Sequence, residues 1–194
     1  MATKNDGSCI GKDSSECRKS VKILILGEIG IGKTTLIETY LSTYDAAHEE
    51  LGIFELYRVR MKYKDRMVDV GLIDLYPGPN CPERRESYPS DVNVILLCFS
   101  IGHYETLRCV YNLWIYEVRA HFGKNIPIFL VGLRSDVRLV KPPLPGKDRL
   151  VKKKEAETIH KNHSFHGDYM ECSMNDRNSV VNVIHKAFFA ALED

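Results

Sequence analysis

The chain has 194 residues and a mass of 22.2 kDa, which is the size of a single globular domain. Lysine and arginine number 27 and aspartate and glutamate 26, so the net charge of +1 argues against binding nucleic acid through a broad basic surface. The longest apolar run, Val94 to Phe99, is far shorter than the roughly 20 residues of a membrane span. The six cysteines form no CxxC pair, which favours a reducing, cytosolic compartment.

Hydrophobic patterning predicts a flexible polar tail over residues 1–20 and one α/β domain over residues 21–194. In chain order the pattern predicts a strand at Val21–Leu26, a helix at Thr34–Thr43, strands at Phe54–Tyr63 and Met67–Asp74, a loop at Leu75–Ser90, a strand at Val92–Phe99, a helix at Tyr104–Phe122, a strand at Ile126–Gly132, a proline-rich loop at Lys141–Lys147, a helix at Leu150–Lys161, a strand at Tyr169–Cys172 and a helix at Val180–Leu192. Strands separated by helices imply a mostly parallel, six-stranded sheet with helices on both faces. The adjacent second and third strands predict one antiparallel edge.

A glycine-rich segment after the first strand carries the strongest chemical signal. It fits the pattern GxxxxGK[ST] and leads directly into a predicted helix, as a phosphate-binding loop does. Backbone N–H groups and the helix N-terminus are expected to surround phosphates, Lys33 to neutralise the β- and γ-phosphates, and the Thr34 hydroxyl to bind Mg²⁺. A plain glycine-rich turn is the alternative. The predicted phosphate-binding residues are Gly27, Glu28, Ile29, Gly30, Ile31, Gly32, Lys33, Thr34 and Thr35.

A second candidate residue follows the strand that ends at Val131-Gly132. Asp136 lies just beyond the carboxyl end of that strand, where ligands of such sheets bind. A carboxylate there can accept two hydrogen bonds from guanine N1–H and N2–H₂, and adenine has no such donor pair. Asp136 therefore predicts guanine selectivity, although an aspartate in this position can also be a simple helix or turn cap.

Several segments together resemble the small GTPases of the Ras superfamily, and most closely the Rho family. The resemblance covers about Lys22 to Leu192. It implies a P-loop NTPase fold, binding of GTP or GDP with Mg²⁺, and a molecular switch in signal transduction to the actin cytoskeleton. The matching segments are Gly27–Leu36 (GEIGIGKTTL), Val70–Asp74 (VGLID), Ser87–Ile101 (SYPSDVNVILLCFSI), Leu113–Arg119 (LWIYEVR), Pro127–Gly132 (PIFLVG) and Tyr169–Ser173 (YMECS).

The resemblance also assigns roles to individual residues. Asp74 corresponds to the carboxylate that holds Mg²⁺ through water. Ser173 and Met174 stand where the family uses a backbone N–H to contact guanine O6. Arg134 replaces a lysine whose stem packs over the nucleotide, and Leu133 replaces a residue that braces the phosphate loop. The same resemblance implies effector and regulator proteins of Rho type, which would bind residues 45–63 and 75–90.

The departures from the family pattern affect hydrolysis. Gly52 stands in place of the threonine that senses the γ-phosphate, and Pro77 has no N–H to offer that phosphate. No glutamine is available to orient the attacking water. Ile29 replaces a glycine beside the space for an arginine finger, and Asp45 replaces the aromatic residue over the guanine edge, with Tyr44 adjacent. We therefore assign no catalytic residue and expect very slow or absent GTP hydrolysis.

Two other function classes are compatible with parts of the sequence. The same departures fit a pseudo-GTPase, an interaction scaffold that binds nucleotide weakly or not at all. A P-loop nucleoside or nucleotide kinase would need an arginine-rich lid, which the sequence does not offer.

Signals for membrane attachment are weak in this sequence. The chain ends without a prenylation cysteine, and Ala2 excludes N-myristoylation. We expect a cytoplasmic protein, at most peripheral at the inner plasma membrane. Acylation of Cys9 or Cys17 would give only marginal anchoring.

Overall fold

The structure is a computed structural model that describes residues 20–52, 54–75, 88–89, 91–139 and 149–193. The strands are β1 (Ser20–Leu26), β2 (Ala47–Glu50), β3 (Phe54–Tyr63), β4 (Arg66–Leu75), β5 (Val94–Ser100), β6 (Ile128–Leu133) and β7 (Met170–Cys172). The α-helices are α1 (Lys33–Leu41), α2 (Tyr104–Cys109), α3 (Ile115–Phe122), α4 (Lys153–Asn162) and α5 (Arg177–Ala190). A π-helical turn, Val110–Trp114, joins α2 to α3, and a 3₁₀ helix, Ser135–Leu139, follows β6.

These strands form one sheet in the order β2-β3-β4-β1-β5-β6-β7. The neighbouring pairs β4-β1, β1-β5, β5-β6 and β6-β7 are parallel. Strand β3 is antiparallel to both of its neighbours, β2 and β4. The predicted α/β class and mostly parallel sheet with an antiparallel side are confirmed. The described residues contain seven strands rather than the six predicted. The additional strand is β2, which was not predicted because its four residues are exposed and show no apolar pattern. Ser20, assigned to the tail from sequence, is the first residue of β1.

Each face of the sheet is covered by its own apolar core. On one face Ile23, Ile25 and Leu72 pack with side chains of α1 and α5. On the other face Leu24 and Phe99 pack with side chains of α2, α3 and α4. The central strands β1 and β5 are almost wholly buried, as their continuous apolar runs predict for strands covered on both sides.

The helix bounds differ by up to three residues from those predicted, as for Lys153–Asn162 against the predicted Leu150–Lys161, and two helical regions differ for an identifiable reason. The helix predicted over Tyr104–Phe122 is interrupted by the π-helical turn. The closing helix begins earlier than predicted, because the Asp176 side chain caps it by accepting a hydrogen bond from the Asn178 backbone N–H, 3.1 Å away. Among the helices that the structure describes, none has the length and apolar character needed to span a bilayer.

Candidate functional site

The phosphate loop predicted from sequence connects β1 to α1 at the carboxyl edge of the sheet. Its glycines take left-handed or related backbone conformations, with φ of 143° at Gly27, 76° at Gly30 and 105° at Gly32. Gly27 is also tightly packed, because a Cβ on it would lie 2.3 Å from the carbonyl oxygen of Cys98. Helix α1 begins at Lys33, and no side chain caps its N-terminus. No side chain therefore competes for its first N–H groups, which suits a phosphate site at this helix N-terminus.

Lys33 lies across this loop rather than out in solvent. It is 6% exposed, and its Nζ donates to the carbonyl oxygens of Gly27 at 3.2 Å and Glu28 at 3.1 Å. Burial lowers the pKa of Lys33, and the nearby Asp74 carboxylate opposes that shift. A buried ammonium group held in this way is ready to pair with an anion at the loop.

Thr34 and Asp74, the two predicted Mg²⁺ ligands, are brought together from α1 and β4. The Thr34 hydroxyl donates a hydrogen bond to Asp74 Oδ2. Asp74 is fully buried, and within the described part of the chain its Oδ1 has no hydrogen-bond partner. Burial raises the pKa of Asp74, opposed by the Thr34 hydrogen bond and the Lys33 charge. A hydroxyl and a carboxylate with an unsatisfied oxygen are the hard oxygen donors that Mg²⁺ prefers, so these residues fit that ion.

The residues predicted to recognise the base lie together in two neighbouring loops. Asp136 is in the 3₁₀ helix after β6, and its Oδ1 accepts a hydrogen bond from Ser173 Oγ at 2.7 Å. Ser173 Oγ in turn accepts from the Asn175 backbone N–H at 3.1 Å, so the loop after β7 fixes the Asp136 carboxylate. Arg134, just before the 3₁₀ helix, has a φ of 62°, a left-handed backbone conformation that is uncommon for a residue other than glycine.

Met174 joins this base loop to the phosphate loop. Its Cε lies 3.1 Å from the position that a Cβ on Gly32 would occupy. Leu133, by contrast, is fully buried in the sheet and has no side-chain hydrogen-bonding group. Leu133 therefore cannot brace the phosphate loop through a side-chain hydrogen bond. The apolar contact of Met174 links the two loops without that hydrogen bond.

The described residues include several of the departures from the family pattern, and the backbone of Gly52 shows why glycine suits its position. Gly52 follows β2 in a tight turn, in which the Leu51 N–H donates to the Phe54 carbonyl at 2.9 Å, and its φ is +75°. Threonine is strongly disfavoured at that φ, so glycine suits this turn. The side chain of Ile29 is 71% exposed at the tip of the phosphate loop. Tyr44 stacks on Tyr40, with ring centroids 5.2 Å apart. Pro77 and the predicted loop around it lie outside the described residues.

One contact at the site was missed by the sequence reasoning. Trp114 is fully buried in the core, and its indole Nε1 donates to Glu28 Oε1 at 2.9 Å. A buried indole N–H usually finds an acceptor, so the partner could have been sought among polar residues at the ends of neighbouring strands.

The part of the chain that matches known proteins includes all residues of this site. The Ras family model matches residues 22–193. The Rho-related GTP-binding protein RhoD of Homo sapiens is 27% identical over 193 residues, covering 94% of this chain and 88% of the relative. The Rho-related GTP-binding protein RhoF of Mus musculus is 27% identical over 185 residues, covering 92% of this chain and 85% of the relative.

Proposed function

Because the chain belongs to the Ras family and is similar to Rho-related small GTPases, we propose that it is a switch that binds GTP and GDP with Mg²⁺. The observation that carries the proposal is the convergence of three groups at one edge of the sheet. Lys33 lies across the phosphate loop, Thr34 contacts Asp74, and Ser173 holds Asp136. An interaction scaffold has no physical need for all three arrangements.

Each group has a distinct part in holding the nucleotide. Lys33 and the N–H groups at the start of α1 bind the phosphates, exchanging contacts within the loop for charge-assisted hydrogen bonds to phosphate oxygens. Thr34 and Asp74 hold Mg²⁺, which neutralises phosphate charge when bound. Asp136, oriented by Ser173, accepts hydrogen bonds from the guanine ring. The Met174 backbone N–H is placed in the same loop to donate to guanine O6.

Hydrolysis by this chain is proposed to be very slow, with nucleotide exchange and protein abundance setting its state. Gly52 has no hydroxyl to contact the γ-phosphate or Mg²⁺. It lies in the turn that connects the edge strand β2 to β3. The exposed Ile29 side chain stands in the phosphate loop where the family has glycine. The chain contains no glutamine at any position, so that side chain cannot orient a water.

The cellular part of the proposal rests on family membership. We place the protein in signalling to the actin cytoskeleton, through effectors and regulators that contact residues 45–63 and 75–90, in the cytoplasm or peripherally at the inner plasma membrane. Fractionation of cells that express the wild type and a Cys9→Ser/Cys17→Ser variant tests the location. Most of the protein in membranes, unchanged in the variant, would contradict a mainly cytoplasmic protein and would show that another partner or anchor has been missed.

The nucleotide content of the purified chain tests the binding proposal. The protein is denatured and the released small molecules are separated by chromatography beside guanine and adenine nucleotide standards. We expect GDP or GTP in a substantial fraction of the molecules, and much less in a Lys33→Ala variant purified in parallel. Recovery of adenine nucleotides alone would contradict the assignment of Asp136.

A further inference from the structure

Three side chains with metal-binding groups converge on the hairpin formed by β2 and β3. His48 and Glu50 are two residues apart on β2, so they lie on the same face of the strand. Glu55 is the register partner of Glu50 on β3. Asp74 on β4 is in turn the register partner of Glu55. The cluster therefore adjoins the Thr34–Asp74 pair but is built from different strands.

The spacing of the three side chains matches a small metal ion. One ligand atom from each of His48, Glu50 and Glu55 lies within 4.8 Å of the other two. His48 Nε2 and Glu55 Oε2 are 3.4 Å apart. Tetrahedral Zn²⁺, with bonds of about 2.0–2.2 Å to nitrogen and oxygen, separates its ligand atoms by about 3.3–3.6 Å. One edge of the tetrahedron is thus already present, and the exposed Glu50 side chain can rotate to complete the set.

Tyr57 contacts two of these three side chains, His48 and Glu55. It is the register partner of His48, and the two rings stack with centroids 4.5 Å apart at an angle of 19°. Its hydroxyl donates a hydrogen bond to Glu55 Oε2. One aromatic residue therefore orients both the imidazole and the carboxylate, which is what outer-shell residues do at metal centres.

We propose that His48, Glu50 and Glu55 form a site for Zn²⁺. Imidazole nitrogen with two carboxylates favours Zn²⁺ over Mg²⁺, which takes oxygen ligands. The ion relieves the repulsion between two glutamates placed directly opposite each other on paired strands. The ion also links side chains of β2 and β3, and it therefore stabilises the edge strand β2. A fourth coordination position stays open at the exposed side of the cluster for water or a ligand atom of another molecule.

The test is competition for Zn²⁺ between the full-length protein and a chromogenic chelator. Excess Mg²⁺ is present throughout, so that the predicted Mg²⁺ ligands are occupied. We expect the wild type to bind one equivalent of Zn²⁺ at least tenfold more tightly than either His48→Ala or Glu50→Gln. His103→Ala, which removes another exposed histidine, is the matched control and should bind like the wild type. Cysteines are the same in every variant, so their contribution cancels.

Thermal unfolding gives a second measurement that is independent of nucleotide binding. Zn²⁺ should raise the melting temperature of the wild type and of His103→Ala, because it binds the folded hairpin. It should raise the melting temperature of His48→Ala and Glu50→Gln much less. Equal Zn²⁺ affinity and equal melting shifts in all four proteins would overturn the proposal, and so would the absence of Zn²⁺ binding by the wild type.

Discussion

The indole Nε1 of Trp114 donates a hydrogen bond of 2.9 Å to Glu28 Oε1, which ties the π-helical turn to the phosphate loop. The backbone carbonyl of the same glutamate accepts a hydrogen bond from Lys33. Glu28 therefore connects the group that is to bind phosphate with a side chain at the centre of the core. The turn inserted between α2 and α3 ends at Trp114, the residue that makes this contact.

Trp114 should report on the phosphate loop, because it is the sole tryptophan in the chain. Binding of GDP draws Lys33 away from the Glu28 carbonyl, so we expect a change in the intrinsic fluorescence of Trp114. Glu28→Ala should shift the emission and lower the free energy of unfolding by about 1.5–3 kcal/mol, the usual value for a hydrogen bond to a charged group. Glu105→Ala, which removes an exposed glutamate of α2, is the control. Identical spectra for Glu28→Ala and wild type would contradict this coupling.

The glycines of the phosphate loop should differ in their tolerance of a side chain. In Gly30→Ala the new Cβ meets no heavy atom within 4 Å, so the cost is that of a positive φ, about 1–2 kcal/mol. In Gly27→Ala the Cβ also falls 2.3 Å from the Cys98 carbonyl oxygen, and backbone must move. Chemical denaturation should show a clearly larger loss of stability for Gly27→Ala. Equal losses would mean that β1 and β5 adjust freely there.

Lys33→Ala should weaken GDP binding at least tenfold, about 1.4 kcal/mol, because a charge-assisted contact with phosphate is lost. Lys153→Ala removes a lysine at the start of α4 and serves as the matched control for net charge. Titration of each protein, freed of nucleotide, with a fluorescent GDP analogue measures the difference. Unchanged affinity in Lys33→Ala would show that the nucleotide phosphates lie elsewhere.

Single-turnover phosphate release should be slower than that of an ordinary Rho protein measured in parallel, and unresponsive to a Rho-type activating protein. Loss of one transition-state contact typically costs about 10²–10³ in rate. Several such contacts are missing here, and their effects do not simply multiply because they act as a unit. Ile29→Gly should restore little, since no glutamine becomes available. Release at the ordinary Rho rate would contradict the prediction and would mean that a residue outside these positions supplies the missing function.

Patterns of apolar residues accounted for most of the fold. The strand at Phe54–Tyr63 was predictable because burial on one face leaves an alternating pattern, and the strand at Val94–Ser100 because burial on both faces leaves a continuous apolar run. Strand β2 was not, since its pairing comes from backbone hydrogen bonds and all four of its side chains are exposed. The π-helical turn also leaves no local signature, because the side chains around Trp114 keep nearly helical spacing.

The candidate site also has some features that the sequence predicts and others that appear only in the folded chain. Lys33 and Thr34 were predictable because the residues of a phosphate loop are consecutive in the sequence and form a recognisable motif. The contacts of Asp136 with Ser173 and of Glu28 with Trp114 join residues 37 and 86 positions apart, so only the folded chain shows them. The His48 cluster depends on the register of β2 against β3, which no residue pattern in β2 specifies.

Calorimetric titration of nucleotide-free protein with GDP and then with ADP, in the presence of Mg²⁺, tests the central claim most directly. The account predicts binding of one GDP per chain, no measurable binding of ADP, and loss of that selectivity in an Asp136→Asn variant. The absence of heat with GDP at high micromolar protein would contradict it, and would instead support an interaction scaffold that keeps the fold without the nucleotide.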